Sequence, residues 1–329
     1  MRLSIIIPVY NEEKNITALY QRLIAVLGER GDDHGHKGQV TDRGQGQDAT
    51  EQTYLELLFV NDGSTDGSLG LIRQLAETDS RIRVLDLSRN FGHQVAVTAG
   101  IDHCTGDRAV IIDADLQDPP ELIPELLGRM DWGYDVVYAR RRDRKGEGFL
   151  KKTTAKLFYR TLARMTHVPI PLDTGDFRVI SRRVMEVLKQ MPEREKFIRG
   201  QIAWMGFDQT FIEYDRDERM AGDSGYSWRR MLHFALDGIT SFSNVPLKMA
   251  TISGFVVSFI SFILMLYALY SRFISKDYVP GWTSLILSVL FIGGIQLIAI
   301  GIIGEYIGRI SNNVKDRPLY LIKEDSDTK

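Results

Sequence analysis

Two long stretches without a charged side chain, 249–271 and 278–304, restrict the fold of this chain more than any other feature. A helix that crosses the bilayer core needs about 20 apolar residues, and each stretch is long enough. We therefore predict two transmembrane helices within 246–305, at about 249–271 and 281–304. The short connector between the two stretches predicts a helical hairpin. Glycines in the second helix would let the helices approach closely or let two copies associate as a homo-oligomer: Gly293, Gly294, Gly301 and Gly304.

Basic residues on either side of these stretches indicate the orientation of the hairpin. More of them flank the hairpin than lie in the connector, which contains Arg272 and Lys276. By the positive-inside rule, both termini are expected in the cytoplasm, with the protein multi-pass in the inner (plasma) membrane. Residues 306–329 would then form a cytoplasmic tail. Residues 228–245 predict an interfacial amphipathic helix, although a helix docked on the globular domain fits nearly as well.

Residues 1–227 predict a soluble α/β domain. Apolar strands alternate with amphipathic helices, which is typical of a mostly parallel sheet with helices on both faces. The predicted strands are 3–10, 54–62, 82–88 and 108–115, and the predicted helices are 12–29, 69–78 and 92–104. The first helix would carry acidic residues in its first turn, and Ser64 or Thr65 would cap the second. Residues 30–53 contain little to bury and predict a flexible insertion.

The first, second and fourth predicted strands end in polar residues, at Asn11-Glu12, Asn61-Asp62 and Asp113-Asp115. Ligands bind at the carboxyl ends of strands in such sheets, so one site is expected at that edge. Two carboxylates one residue apart suit a hard metal ion. If the strand continued, Asp113 and Asp115 would face opposite sides of the sheet, whereas a turn after Asp113 would let both approach one ion.

Composition excludes some other classes of function. The net charge of −2 argues against a general nucleic-acid binder. Cys104 is the single cysteine, so no intrachain disulfide is possible, which fits a reducing compartment.

Seven segments occur in an order that marks a known family: IIIPVYNEE, VNDGSTDGS, LSRNFGHQVAVTAG, DADLQDPPEL, DTGDFRVISR, RMAGDSGYSW and GEYIGRI. The chain resembles the inverting family 2 glycosyltransferases with the GT-A (nucleotide-diphospho-sugar transferase) fold. More narrowly, it resembles polyprenyl-phosphate glycosyltransferases, namely bacterial bactoprenol glucosyltransferases and dolichol-phosphate mannose synthase-like enzymes. The likeness covers nearly the whole chain apart from 30–53. It implies an α/β GT-A domain followed by the two-helix transmembrane hairpin.

This resemblance implies the residues that hold the donor and its metal. Mg²⁺ or Mn²⁺ would be bound by Asp113, Asp115 and Gln117. The nucleotide-sugar would be bound by Pro8, Tyr10, Glu12, Asp62, Arg89, Asp113, Ala114 and Asp115. A carboxylate such as Asp62 can accept an N–H from a base edge, and a tyrosine can stack on the base. Catalytic roles are implied for Asp113, Asp115 and Asp176, although Asp176 could equally form a buried pair with Arg178.

The acceptor phosphate would be bound by Arg140, Lys151, Arg219 and Ser224. The chain departs from the family pattern at Ala155, where serine is frequent, and at Gly225, where lysine is usual. These two departures put the phosphate contacts in both segments in doubt.

The reaction that the resemblance implies is transfer of glucose from UDP-glucose to undecaprenyl phosphate, with inversion. A lipid phosphate has a second pKa of about 6 and is already anionic at neutral pH, so no indispensable catalytic base is expected. Transfer of mannose from GDP-mannose, or of an amino-arabinose derivative, is left open. In another class of function, the chain could be an inactive scaffold that binds a nucleotide-sugar or lipid carrier, or a flippase subunit. A processive synthase is disfavoured because no Q-x-x-R-W segment occurs.

Overall fold

The computed structural model describes residues 1–28, 54–142, 174–214, 245–270, 274 and 281–326. These residues fall into two compact units. The first unit contains the described residues up to 214 together with those from Pro318 onward, and the second contains those between 245 and Arg317.

The first unit contains eight described strands and six described α-helices. The strands are β1 (Arg2–Val9), β2 (Tyr54–Asn61), β3 (Ile82–Leu87), β4 (Arg108–Ile111), β5 (Val136–Arg141), β6 (Thr174–Ser181), β7 (Gln209–Tyr214) and β8 (Ile322–Asp325). The helices are α1 (Ile16–Leu27), α2 (Ser68–Thr78), α3 (His93–His103), α4 (Ile123–Met130), α5 (Arg182–Gln190) and α6 (Ile198–Met205).

All eight strands form one sheet in the order β7-β5-β6-β4-β1-β2-β3-β8. Strands β3, β2, β1 and β4 are parallel neighbours, and β5 is parallel to β7. Strand β6 runs antiparallel between β4 and β5, and β8 runs antiparallel to β3. The predicted mostly parallel α/β sheet is confirmed, and β6 and β8 are the antiparallel strands.

The sheet is buried on both faces because successive side chains of a strand point to opposite sides. In β1, Ile5 and Ile7 belong to the core on one face, whereas Ile6 belongs to the core on the other. Helices α1, α2 and α4 contribute buried residues to the first core, and α3, α5 and α6 to the second. This arrangement explains why the strands have nearly continuous apolar sequences rather than alternating ones.

Two local predictions in the first unit are wrong. Helix α1 begins at Ile16 and has no acidic residue in its first turn, because Glu12 and Glu13 lie in the preceding turn. Ser64 and Thr65 do not cap α2, which begins at Ser68. The Ser64 hydroxyl instead accepts a hydrogen bond from the backbone N–H of Asn11. This hydrogen bond joins the loop after β1 to the loop after β2.

The C-terminal tail returns to the sheet of the first unit. Strand β8 pairs with β3, and the N–H of Ser88 donates to the carbonyl of Leu321 at 2.8 Å. Arg83 forms a two-point ion pair with Asp325, with nitrogen–oxygen distances of 2.7 and 3.1 Å. The residues of β8 are mostly polar and lie far along the chain from β3, so the sequence does not reveal this strand.

The second unit contains two long helices, α7 (Val245–Tyr270) and α8 (Trp282–Val314), which contact each other. They overlap the two predicted spans. In the part of the chain with described structure, one stretch, Phe291–Val314, is long and apolar enough to cross a membrane by length and composition. No described atom lies within 4 Å of a Cβ built at Gly293, Gly294, Gly301 or Gly304, so the described helices give no support for a glycine-mediated contact. The predicted insertion at 30–53 and nearly all of the predicted interfacial helix lie outside the described residues.

Candidate active site

Polar side chains from β1, β2, β4 and β6 gather at one edge of the sheet. The parallel strands β1, β2 and β4 end there, and the antiparallel strand β6 begins there. Because Ile111 at the end of β4 lies opposite Arg178, Asp176 lies beside the residues that leave β4. The antiparallel insertion of β6 therefore brings Asp176 to the edge where Asp113 emerges.

The acidic loop that follows β4 turns at once. Strand β4 ends at Ile111, and the backbone of Leu116 adopts a left-handed conformation with φ of 61°. The N–H of Gln117 then donates to the Asp115 carboxylate at 3.1 Å. Asp113 and Asp115 therefore do not lie on opposite faces of a continuing strand. A left-handed leucine is strained, and such strain persists where the surrounding structure holds a loop in place, as at functional sites.

His93 joins the two carboxylates that the sheet brings together. Its Nε2 atom lies 3.0 Å from Asp176 Oδ2 and 3.6 Å from Asp113 Oδ1. His93 is the first residue of α3 and follows Gly92, whose φ is 102°. The sequence reasoning missed His93, although it lies within the quoted segment LSRNFGHQ. The available signal was its position directly after the turn that follows β3.

Two arginines complete the charge cluster around Asp176. Its Oδ1 atom accepts hydrogen bonds from Arg178 Nη2 at 2.9 Å and from Arg199 Nε at 3.1 Å. Arg178 is buried, with 1% of its side chain exposed, so the predicted buried Asp–Arg pair is present. Arg199, at the start of α6, was not among the predicted site residues.

The electrostatics of this cluster follow from burial and close charges. Burial opposes ionisation of Asp176, but Arg199, His93 and Arg178 together hold its pKa well below the usual range. Burial also opposes the charge on His93, yet Asp113 and Asp176 raise the pKa of His93 to about 9. Burial raises the pKa of Asp113 above its ordinary value, an effect that His93 partly offsets. Asp176 is therefore a fixed anion and a weak base.

The spacing of the acidic groups leaves two arrangements for a divalent cation. Ligand atoms of His93, Asp113 and Asp176 lie within 4.8 Å of one another. However, Asp176 Oδ1 already accepts hydrogen bonds from Arg178 and Arg199. Asp113 Oδ1 is buried and has no hydrogen-bond partner among the described atoms. Hard cations prefer oxygen ligands. The ligand set Asp113, Asp115 and Gln117 therefore suits such a cation better than a set that includes the His93 imidazole.

The predicted base-binding residues lie along the ends of β1 and β2. Pro8 is buried in β1, and Tyr10 beyond it is 47% exposed. The Glu12 carboxylate accepts a hydrogen bond from Asn15 Nδ2 at 2.6 Å. Tyr10 is therefore exposed enough to stack on a base, while Glu12 also supports its own turn.

Asp62 stabilises the turn after β3, a role that the sequence did not reveal. Its carboxylate accepts hydrogen bonds from the backbone N–H of Phe91 at 2.7 Å and of Gly92 at 2.9 Å. Burial raises its pKa despite these bonds. Asp62 thus shapes the turn that places His93. Its contact with a base stays a prediction.

The same turn also positions Arg89. Its guanidinium lies 4.2 Å from the centre of the Phe91 ring. Gly63 has φ of 65°, and a Cβ there would lie 2.5 Å from the backbone of Arg89 and Asn90. Only glycine allows the loops after β2 and β3 to pack this closely.

Of the predicted acceptor-phosphate residues, the structure describes Arg140. It pairs with Glu213 on the neighbouring strand, and its guanidinium lies 3.6 Å from the centre of the Phe211 ring. The structure thus places Arg140 in a cross-strand pair, and its phosphate contact stays a prediction. Lys151, Arg219 and Ser224 lie outside the described residues.

The sequence of the chain matches a known protein family. The profile of glycosyl transferase family 2 matches residues 4–188. The chain belongs to this family of glycosyltransferases, and the predicted resemblance to it is confirmed.

Relatives align over nearly the full chain. An uncharacterised glycosyltransferase of Bacillus subtilis (strain 168) is 47% identical over 98% of this chain and 93% of its own length. A prophage bactoprenol glucosyl transferase homolog of Escherichia coli (strain K12) is 39% identical over 98% of this chain and 99% of its own. A glucosyl-3-phosphoglycerate synthase from Mycobacterium tuberculosis, solved with Mn²⁺, UDP and phosphoglyceric acid, is 20% identical. It covers 73% of this chain and 76% of its own, with a TM-score of 0.46.

Proposed function

We propose that this chain transfers a hexose from a nucleotide-diphosphate sugar to a membrane polyprenyl phosphate. The observation that carries the proposal is the acidic loop after β4, where the buried Asp113 oxygen has no hydrogen-bond partner among the described atoms and lies two residues from Asp115. Full-length relatives named bactoprenol glucosyl transferases support the lipid acceptor. Their names also favour glucose over mannose or an amino-arabinose derivative, and we propose UDP-glucose as the donor.

Asp113, Asp115 and Gln117 would hold the Mg²⁺ or Mn²⁺ ion of this reaction. The orphaned Asp113 oxygen and the all-oxygen donor set fit such an ion. When bound, the ion neutralises negative charge that develops on the departing diphosphate.

The side chains of this site bind and orient the reactants rather than remove a proton. Asp176 is a weak base because Arg199, His93 and Arg178 stabilise its anion. A lipid phosphate needs no deprotonation at neutral pH. Asp176 therefore serves to fix His93, Arg178 and Arg199 around Asp113. Direct attack by the phosphate on the anomeric carbon inverts that centre, so an α-linked donor gives a β-linked product.

Chain connectivity supports a membrane hairpin. The first unit contains β7 before the two long helices and β8 after them, and β8 pairs with β3. A segment whose two ends join the same folded unit crosses a membrane an even number of times. If Phe291–Val314 crosses the membrane, a second crossing would be needed, and we propose the apolar helix α7 for it. From the distribution of basic residues, we propose that the catalytic unit and the tail lie on the cytoplasmic side.

The test uses purified full-length protein in detergent with undecaprenyl phosphate, Mg²⁺ or Mn²⁺, and a panel of radiolabelled nucleotide-sugars. We expect label from UDP-glucose to enter the organic phase, and EDTA or Asp115→Ala to abolish the transfer. Glu121→Gln is the matched control, because Glu121 is an exposed carboxylate that pairs with Arg22. Donor binding without transfer from any sugar would replace this proposal with the inactive scaffold.

A further inference from the structure

The acidic loop is held at its far end by a buried hydrogen bond. Asp118 lies three residues after Asp115 and is fully buried, with 0% of its surface exposed. The hydroxyl of Tyr214 donates to Asp118 Oδ1. Tyr214 itself is 5% exposed, so water does not compete strongly for this bond.

Tyr214 is itself fixed by two other contacts. As the last residue of β7, it accepts a hydrogen bond at its carbonyl from the N–H of Arg142 at 2.9 Å. Its ring meets the buried Phe177 ring edge to face, with centres 6.5 Å apart. Phe177 lies between Asp176 and Arg178 in β6. The hydroxyl that reaches Asp118 therefore comes from a side chain with little freedom to move.

The loop needs such an anchor because its backbone is strained. Leu116 has φ of 61°, which an L-residue adopts only when its surroundings hold it there. The first anchor spans Leu116, because the N–H of Gln117 donates to the Asp115 carboxylate. The second anchor follows directly, because Asp118 accepts a hydrogen bond from Tyr214. Losing the second anchor would allow the loop to relax away from the arrangement of Asp113 and Asp115.

We propose that Tyr214 is a positioning residue for the metal site. Its hydroxyl holds the loop 113–118 in the conformation that binds the divalent cation. This inference rests on the proposed function, because it assumes that the loop binds a cation. Tyr214 touches neither cation nor substrate, so its effect is exerted through Asp118.

The decisive variant is Tyr214→Phe, which keeps the ring packing and removes the hydroxyl. The measurement is the dissociation constant of Mn²⁺, obtained by electron paramagnetic resonance on the full-length protein without donor or lipid. We expect this constant to rise about tenfold, since a hydrogen bond to a charged group contributes enough stabilisation for such a change. The KM for donor is expected to rise and kcat to fall in parallel.

The matched control is Tyr20→Phe. The Tyr20 hydroxyl also donates to an aspartate at 2.9 Å, but this aspartate, Asp79, follows α2 and is not part of the loop 113–118. We expect both variants to lower the melting temperature slightly, and only Tyr214→Phe to weaken Mn²⁺ binding. If Tyr214→Phe and the unmodified protein have equal dissociation constants for Mn²⁺, the inference is overturned. The hydrogen bond between Tyr214 and Asp118 would then have a purely structural role. Failure of the unmodified protein to bind Mn²⁺ would overturn both the metal proposal and this inference.

Discussion

Two carboxylates at opposite ends of the same sheet, Glu56 and Asp113, differ in the hydrogen bonds that their oxygens accept. At the amino ends of the strands, the Glu56 carboxylate accepts from the hydroxyl of Ser4 and from the N–H and hydroxyl of Thr105, and pairs with Arg83 at 3.5 Å. At the carboxyl ends, Asp113 has a buried oxygen without a hydrogen-bond partner in the described structure.

The difference separates stability from function. A buried charge whose hydrogen bonds are complete contributes to the fold, and removing it leaves its partners unsatisfied. A buried carboxylate oxygen without a partner costs folding free energy and is retained where a ligand completes it. Glu56 therefore belongs to the framework, and Asp113 to the site. Changing each acid to its amide tests this assignment.

The largest expected effect is the loss of transfer in Asp113→Asn. Weakening the metal site should cost about 4 kcal/mol of transition-state stabilisation, or roughly a thousandfold in rate. The melting temperature should stay the same or rise. Burial raises the pKa of Asp113, so its ionisation destabilises the folded state at neutral pH. Transfer assays per folded molecule and thermal melts check this, and a large drop in melting temperature would assign Asp113 to the framework instead.

Glu56→Gln should show the opposite pattern. Breaking a buried pair by removing one charge costs about 3 kcal/mol, which corresponds to a fall in melting temperature of roughly 6–12 °C. The kcat of the folded fraction should be unchanged, because Glu56 lies at the other end of the sheet. A loss of kcat without a shift in melting temperature would break the comparison.

A smaller loss of stability is expected for Asp325→Ala, which removes the ion pair between Asp325 in the tail and Arg83 in β3. The side chains of Arg83 and Asp325 are only 12% and 13% exposed, but Arg83 keeps its contact with Glu56. We expect a cost of about 1–2 kcal/mol, or roughly 2–8 °C. Glu324→Ala is the control, because its pair with Arg73 is more exposed. Equal effects of the two variants would show that burial of the Arg83 pair is unimportant.

The smallest effect is expected for Glu121→Gln. The pair between Arg22 and Glu121 is well formed at 2.7 Å, but the two side chains are 32% and 51% exposed. Exposed pairs contribute at most about 1 kcal/mol, so the melting temperature should move by no more than about 4 °C. Any larger shift would mean that this pair stabilises the neighbouring acidic loop.

Local sequence patterns predicted the parallel half of the sheet well. Strands β1 to β3 and helices α2 and α3 lie close to their predicted ranges, because continuous apolar runs and helical periodicity are local properties of the chain. Strand β4 ends at Ile111, four residues before its predicted end. Helix α1 was predicted to begin four residues too early, because Glu12 and Glu13 form contacts within the turn and with the loop after β2. Such contacts depend on a second loop that a single helix pattern does not contain.

The candidate site was predicted in part. The carboxylates of Asp113, Asp115 and Asp176 were found from their motifs, and the structure gathers the strands that carry them at one edge. His93 and Arg199 were missed. Their importance arises from contacts with Asp176, which lies far from both along the chain. No local pattern marks a histidine or an arginine that acts through such a distant partner.

By itself, the sequence determined the family, the α/β class, the acidic loop and the apolar C-terminal stretches, because each depends on residues that are close together along the chain. Only the tertiary structure decided that β6 runs antiparallel beside β4, that Tyr214 anchors Asp118, and that the tail closes the sheet beside β3. These features join residues that are distant along the chain. Their formation depends on packing, hydrogen bonding and charge pairing in the assembled fold, which act between neighbours in space.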